Sequence, residues 1–133
     1  KGVLRGLHFQ THPYAQTKLV SVAQGEILDL IVDVRDKSKT YGKGIQIILN
    51  DKNHFQLLVP KGFAHGFLVL SDTAEVNYQV DNYYNKDYDH GINSLDSKLN
   101  FDLKSHCDKI IRSQKDSIYP NLEDSPKFRF YPW

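Results

Sequence analysis

Ile27-Leu28-Asp29-Leu30-Ile31-Val32-Asp33-Val34 sets Leu28, Leu30, Val32 and Val34 at alternate positions, with Asp29, Ile31 and Asp33 between them. Side chains on a β-strand point to alternate faces, so this stretch reads as a strand with one core face and one wet or functional face. Around it, from Gly2 to Val80, short β-branched and aromatic runs are broken by turn residues, with almost no apolar spacing of three or four. Candidate strands are Val3 to Phe9, Lys18 to Ala23, Glu26 to Arg35, Gly44 to Leu49, His54 to Val59, Ala64 to Leu70 and Ala74 to Val80. Between them lie Gln24-Gly25, Lys37-Ser38-Lys39, Asn50-Asp51-Lys52-Asn53, Pro60-Lys61-Gly62 and Ser71-Asp72, whose residue types supply the backbone angles of tight turns. Strands at this spacing predict an all-β sandwich or barrel.

After Asp81 the character changes. Residues 82–91 are polar and tyrosine-rich, a loop able to cover a site. Short helical turns are expected only between Leu103 and Ser117, where Ser113-Gln114-Lys115-Asp116 has the form of a helix start. The ending Phe128-Arg129-Phe130-Tyr131-Pro132-Trp133 is aromatic enough to require burial or a partner surface.

Composition narrows the function. The chain has 133 residues, 40% of them hydrophobic, which suits a single domain over residues 1–133 with one core. Seventeen Lys and Arg stand against sixteen Asp and Glu, spread without a basic block, so nucleic acid is not an expected partner. The single cysteine, Cys107, has no partner for an internal disulfide or a Cys-x-x-Cys site, and a reducing, cytoplasmic setting is expected. No apolar run approaches the roughly 18 to 20 residues of a membrane helix, and Lys1-Gly2-Val3-Leu4-Arg5 does not resemble a signal peptide. No membrane partner is expected.

Three polar clusters are candidates for chemistry. In Arg5-Gly6-Leu7-His8-Phe9-Gln10, simple alternation puts His8 and Gln10 on one face with Gly6, and Arg5, Leu7 and Phe9 on the other. Taken alone, His8 reads as an incidental histidine on a half-exposed strand. Pro60-Lys61-Gly62-Phe63-Ala64-His65 has the Pro-x-Gly-x-x-His spacing of the second half-motif of cupins, in whose metal-binding members that histidine is a ligand. The partner half-motif, His-x-His followed by Glu, is missing, and the preceding strands offer Asp29, Asp33 and Arg35 instead; no metal is expected, because a site needs three or four converging ligands. In Glu75-Val76-Asn77-Tyr78-Gln79-Val80, Tyr78 shares a face with valines and reads as core unless its hydroxyl reaches a pocket.

Taken in order, residues 2–10, Gln16-Thr17-Lys18-Leu19-Val20, Gln24-Gly25-Glu26-Ile27, Asp33-Val34-Arg35, residues 60–67, Asn82-Tyr83-Tyr84 and Ser113-Gln114-Lys115-Asp116 resemble the dTDP-4-dehydrorhamnose 3,5-epimerase family. The likeness runs from Lys1 to about Leu122. It implies a double-stranded β-helix (a cupin or jelly-roll barrel) with short C-terminal helical turns, usually paired as a homodimer. The implied substrate is a nucleotide-diphosphate 4-keto sugar, epimerised at C3, C5 or both without a cofactor. By similarity His8 is the base and Asp116 its carboxylate partner, Tyr78 is the proton donor, and Lys18 and His65 meet the C4 oxygen. Arg5, Gln10, Lys115 and Asp89 are the implied substrate-binding residues, Asp89 standing where the family usually has Glu.

The sequence also departs from the family. The family's chains carry an upstream portion that supplies nucleotide contacts and an exchanged strand; it is absent from this sequence, which is expected to be a fragment or a member lacking part of that site. Lys61 stands where an acidic residue is common and Ser21 where a basic one is, which leaves dTDP, GDP and CDP open as the nucleotide. The loop Ile92-Asn93-Ser94-Leu95-Asp96 lacks the usual tryptophan, which leaves a heptose or another deoxysugar open. Two alternatives stand beside epimerisation: a sugar 3,4-ketoisomerase on the same fold, and a non-catalytic sugar-binding cupin.

Overall fold

The computed structural model describes residues 1–129. The strands are β1 (Leu4–Gln10), β2 (Lys18–Gln24), β3 (Glu26–Asp33), β4 (Gly44–Asn50), β5 (Leu57–Val59), β6 (Phe63–Val69), β7 (Glu75–Val80) and β8 (Asp89–Gly91). One sheet has the order β4-β3-β6-β1-β8 and the other β5-β2-β7, with every pairing antiparallel. This is the expected all-β jelly roll, with Gln114–Ser117 as its one α-helical turn among the described residues (α1). Single 3-10 turns at Ser97–Leu99 and Leu122–Asp124 lie outside the region where helical turns were expected. None of these helices is long and apolar enough to cross a membrane.

Seven strands fall where the residue pattern puts them, with shifted ends, and the eighth was missed. β8 lies in the segment read as loop, because Asp89 and His90 carry no β signal of their own; pairing with β1 makes them a strand. β5 starts at Leu57, not His54. His54 takes a left-handed φ of 53°, and the side-chain oxygens of Asn50 and Asn53 cap the backbone N–H groups of residues 52, 53 and 55, holding a turn there.

Of the wet or functional face expected on β3, burial excludes the wet alternative. From Ile27 to Asp33 every residue is buried. Leu28, Leu30, Val32 and Val34 pack with Leu4, Leu7 and Leu68, and are covered by Leu99, Leu103, Leu122 and Phe128 of the C-terminal segment. Ile27 and Ile31 pack between the sheets with Val20, Val22, Val59 and Phe67. The C-terminal segment is a third layer whose irregular apolar spacing hid it. Of the aromatic ending, Phe128 is buried in that layer, and residues 130–133 lie outside the described residues.

A slip in strand pairing shapes the inner face. Leu4 and Arg5 pair with Leu68 and Phe67, but His8 pairs with His65, one residue out of that register. The slip turns Arg5 to the same side as His8 and Gln10, where simple alternation would oppose them. Gly6 permits it: its φ is +105°, and a Cβ there would lie 2.7 Å from the carbonyl oxygen of His65 and 2.8 Å from Cα of Gly66. Gly6→Ala is expected to destabilise the protein by about 2 kcal/mol or more through backbone strain and displaced strands. Thermal denaturation of the variant measures this, and an unchanged melting temperature would contradict it.

Candidate active site

The inner ends of the two sheets enclose a cavity of about 360 Å³, a volume that suits a small ligand. The five-stranded sheet contributes Arg5, His8 and Gln10 from β1, His65 and Phe67 from β6, and Asp89 from β8. Facing them, the three-stranded sheet contributes Lys18 from β2 and Tyr78 from β7. Lys115 reaches the same cavity from α1.

His8 Nε2 lies 2.6 Å from Asp116 Oδ1. The other carboxylate oxygen of Asp116 accepts the backbone N–H of Gly6 at 3.0 Å, and Ser113, as the N-cap of α1, accepts the backbone N–H of Asp116 at 3.1 Å. The carboxylate is therefore fixed on both oxygens. With Asp116 accepting at Nε2, that nitrogen carries the ring proton of neutral His8, and Nδ1 is left to take another. Burial pushes His8 below its ordinary value and outweighs the opposing pull of Asp116, so the ring is a neutral base at neutral pH.

Across the cavity, burial pushes the Tyr78 phenol up to about 12, keeping it protonated and able to donate. Its ring stands edge-on to His65 with centroids 5.8 Å apart. The Tyr78 side chain is a cavity wall and not core, which resolves the reading left open by its valine neighbours. Burial also lowers Lys18, while Asp89 and Asp29 act in the opposite sense. His65 is buried and its Nε2 lies 2.5 Å from Asp29 Oδ1.

The remaining sequence-predicted residues are also at the cavity, in differing circumstances. Lys115 Nζ donates to Asp89 Oδ2 at 3.0 Å, so these two form an ion pair at the rim, which raises Lys115. Arg5 is exposed and its charge acts on the Tyr78 phenol. Gln10 is buried, and its amide is engaged with the backbone: Nε2 donates to the carbonyls of Tyr14 and Tyr83 at 2.7 and 3.0 Å, and Oε1 accepts from Asn85 N–H at 2.8 Å. It thereby anchors the loop that carries Tyr83 and Tyr84, of which Tyr84 lines the cavity. Lys61 pairs with Asp81 at 3.5 Å, away from the cavity lining. No three His, Cys, Asp or Glu side chains among the described residues gather as a metal site.

Sequence reasoning missed Tyr119, whose ring stands edge-on to His8 with centroids 5.7 Å apart and packs where a side chain at Gly91 would sit. Only its place three residues beyond Asp116 hinted at this.

His8 on one sheet, held by Asp116 of α1, thus faces the phenol of Tyr78 on the other across one jelly-roll cavity. The model of the dTDP-4-dehydrorhamnose 3,5-epimerase family matches residues 1–124. The chain belongs to that family. It is 47% identical over 119 residues to the dTDP-4-dehydrorhamnose 3,5-epimerase of Shigella flexneri, covering 86% of this chain and 66% of that one. The Methanothermobacter thermautotrophicus enzyme of the same name is 43% identical over 129 residues, covering 96% of this chain and 69% of the relative. Among solved structures, dTDP-6-deoxy-D-glucose-3,5-epimerase from Legionella pneumophila, in complex with dTDP-4-keto-L-rhamnose, superposes with a TM-score of 0.92 at 39% identity, covering 99% of this chain and 71% of that one. The chain thus spans about two thirds of the length of the curated relatives it matches.

In an NMR titration of the ring carbons, His8 is expected to titrate below an ordinary histidine. Asp116→Asn removes the two influences of Asp116 that raise it, so the midpoint should fall further. A midpoint that rises in the variant would show that burial does not dominate.

Proposed function

We propose that the chain is a nucleotide-sugar epimerase acting on a 4-keto-6-deoxy sugar or a related sugar carried on a nucleoside diphosphate. The observation that carries this reading is that His8, bonded to Asp116 of α1, lines the cavity from one sheet while Tyr78 lines it from the other. A carbonyl at C4 acidifies the hydrogens at C3 and C5. His8 removes one of them, and the electron pair of the broken C–H bond moves to the C4 oxygen. Lys18 and His65 meet the charge that develops on that oxygen. Tyr78 returns a proton to the opposite face of the same carbon, which inverts it.

Arg5 and Lys115 supply the cationic groups suited to a diphosphate, Asp89 holds Lys115 in place, and Gln10 acts through the loop it anchors. Family membership supports the reading, as does the ligand named for the Legionella relative, a 4-keto sugar linked to dTDP. Tyr78 facing the base supports return of the proton to the carbon that lost it, which is epimerisation and not ketoisomerisation.

We infer further that the chain acts as one domain in the cytoplasm, consistent with its lone Cys107, and pairs as a homodimer. Exposed Ile45, Phe55 and Leu58 around the edges of the sheets support pairing, and light scattering of the purified chain should give twice the monomer mass.

The deciding experiment follows deuterium entry at C3 and C5 by proton NMR in D2O, with dTDP-4-keto-6-deoxyglucose and a GDP-linked 4-keto sugar. Exchange at one or both carbons is expected, falling by about a hundredfold or more in His8→Ala. Tyr78→Phe should still exchange but invert poorly, since the base remains and the acid is gone. A folded chain that exchanges neither substrate would contradict the proposal.

A further inference from the structure

Asp29 has no part in the chemistry assigned so far. It lies mid-strand on β3, on the inner face with Ile27 and Ile31, and is 0% exposed. Its Oδ1 bonds His65 Nε2 and accepts the N–H of Leu30 at 3.1 Å. Its Oδ2 is buried with no hydrogen-bond partner among the described residues. A buried carboxylate with an unmet oxygen is costly unless neighbouring positive charge offsets it. Lys18 is such a neighbour, since Asp29 favours its ammonium form against burial.

The strand register adds a second observation. His8 and His65 are direct cross-strand partners, so the cavity wall carries two His–Asp pairs side by side. They differ in access: the side chains of His8 and Asp116 are 25% and 5% exposed, those of His65 and Asp29 only 3% and 0%. The open pair can exchange protons with a substrate and with water. In the sealed pair the carboxylate has no contact with solvent, and what it can supply is orientation and charge.

We propose that Asp29 is a positioning residue for the wall that meets the C4 oxygen: it accepts the Nε2–H of His65 and fixes that ring toward the cavity. This role rests on the epimerase reading above. The ionisable groups that line the cavity with Lys18 are Arg5 and His8 on β1, His65 on β6, Tyr78 on β7, Tyr84 in the loop after it, Asp89 on β8 and Lys115 on α1, and Asp29 on β3 acts on Lys18 through its charge. Only Asp29 and Asp89 among them offset the burial of Lys18, so removing the charge of Asp29 makes Lys18 lose its proton at lower pH.

The test uses the full chain in two independent measurements. Long-range nitrogen–proton NMR of the wild type should find the His65 proton on Nε2; a His65 that carries its proton on Nδ1 alone overturns the proposal without any variant. Asp29→Asn, which keeps the shape and removes the charge, should lower kcat for C3 or C5 exchange at least about tenfold, short of losing an oxyanion donor outright. KM should change little, and the alkaline limb of the kcat profile should move to lower pH. A merely structural role would leave the His65 proton and kcat where they are, so a folded Asp29→Asn protein whose His65 keeps its proton on Nε2 and whose kcat is unchanged overturns the proposal. If the wild type itself exchanges no 4-keto sugar, it is the epimerase reading that fails, and the His65 spectrum alone then decides whether Asp29 holds that ring.

Discussion

The one-residue slip between β1 and β6 governs which side chains can meet in the cavity. A strand in perfect register presents every second residue, and Arg5 would then point away from His8. With the slip at Gly6, three polar residues of one short strand face inward, while Leu4, Leu7 and Phe9 still reach the apolar layer on the other side. The slip depends on two glycines whose backbones touch, because any Cβ at Gly6 would meet the chain of β6. The N–H of Gly6 is also a ligand of Asp116, so the same residue that bends the strand helps hold the carboxylate of the dyad.

Around this constraint the site is graded in dryness. Burial lowers His8 and raises Tyr78, which leaves a base without its extra proton facing an acid that retains its own. The same influence thus sets two opposite titrating groups in complementary states, with no need for a special partner at each. Lys18 is the group for which burial works against function, and it is also the one flanked by two carboxylates. At the rim the rules change. Lys115 and Asp89 hold each other in a more open ion pair, and exposed Arg5 and Tyr84 border the mouth.

Much of this was legible in the residues. Period-two alternation located seven strands, and turn chemistry located most of their ends. Ser113 before Asp116 announced the short helix that carries the carboxylate. The candidate site residues Arg5, His8, Gln10, Lys18, His65, Tyr78, Asp89 and Lys115 all border the cavity, and Asp116 bonds His8. What stayed hidden had physical causes. The burial of both faces of β3 depends on residues 92–128, which cover one face without a regular period. β8 exists because β1 offers it an edge, and Asp89 and His90 would not form a strand by propensity. The turning of Arg5 inward comes from a pairing irregularity that no local pattern encodes. Asp29 was visible as a carboxylate in an apolar strand, but its partner lies 36 residues away on β6.

The His8–Asp116 bond joins residues 108 positions apart. Contacts this distant in sequence require the intervening chain to be in place before they repay the entropy of closing so large a loop. During synthesis β1 emerges long before α1, so His8 spends that interval without its carboxylate, its ring neither oriented nor matched to an acid. The timing makes competence a late event of folding: a chain that has formed its sheets but not yet docked its C-terminal layer holds a cavity and a histidine, yet no working base.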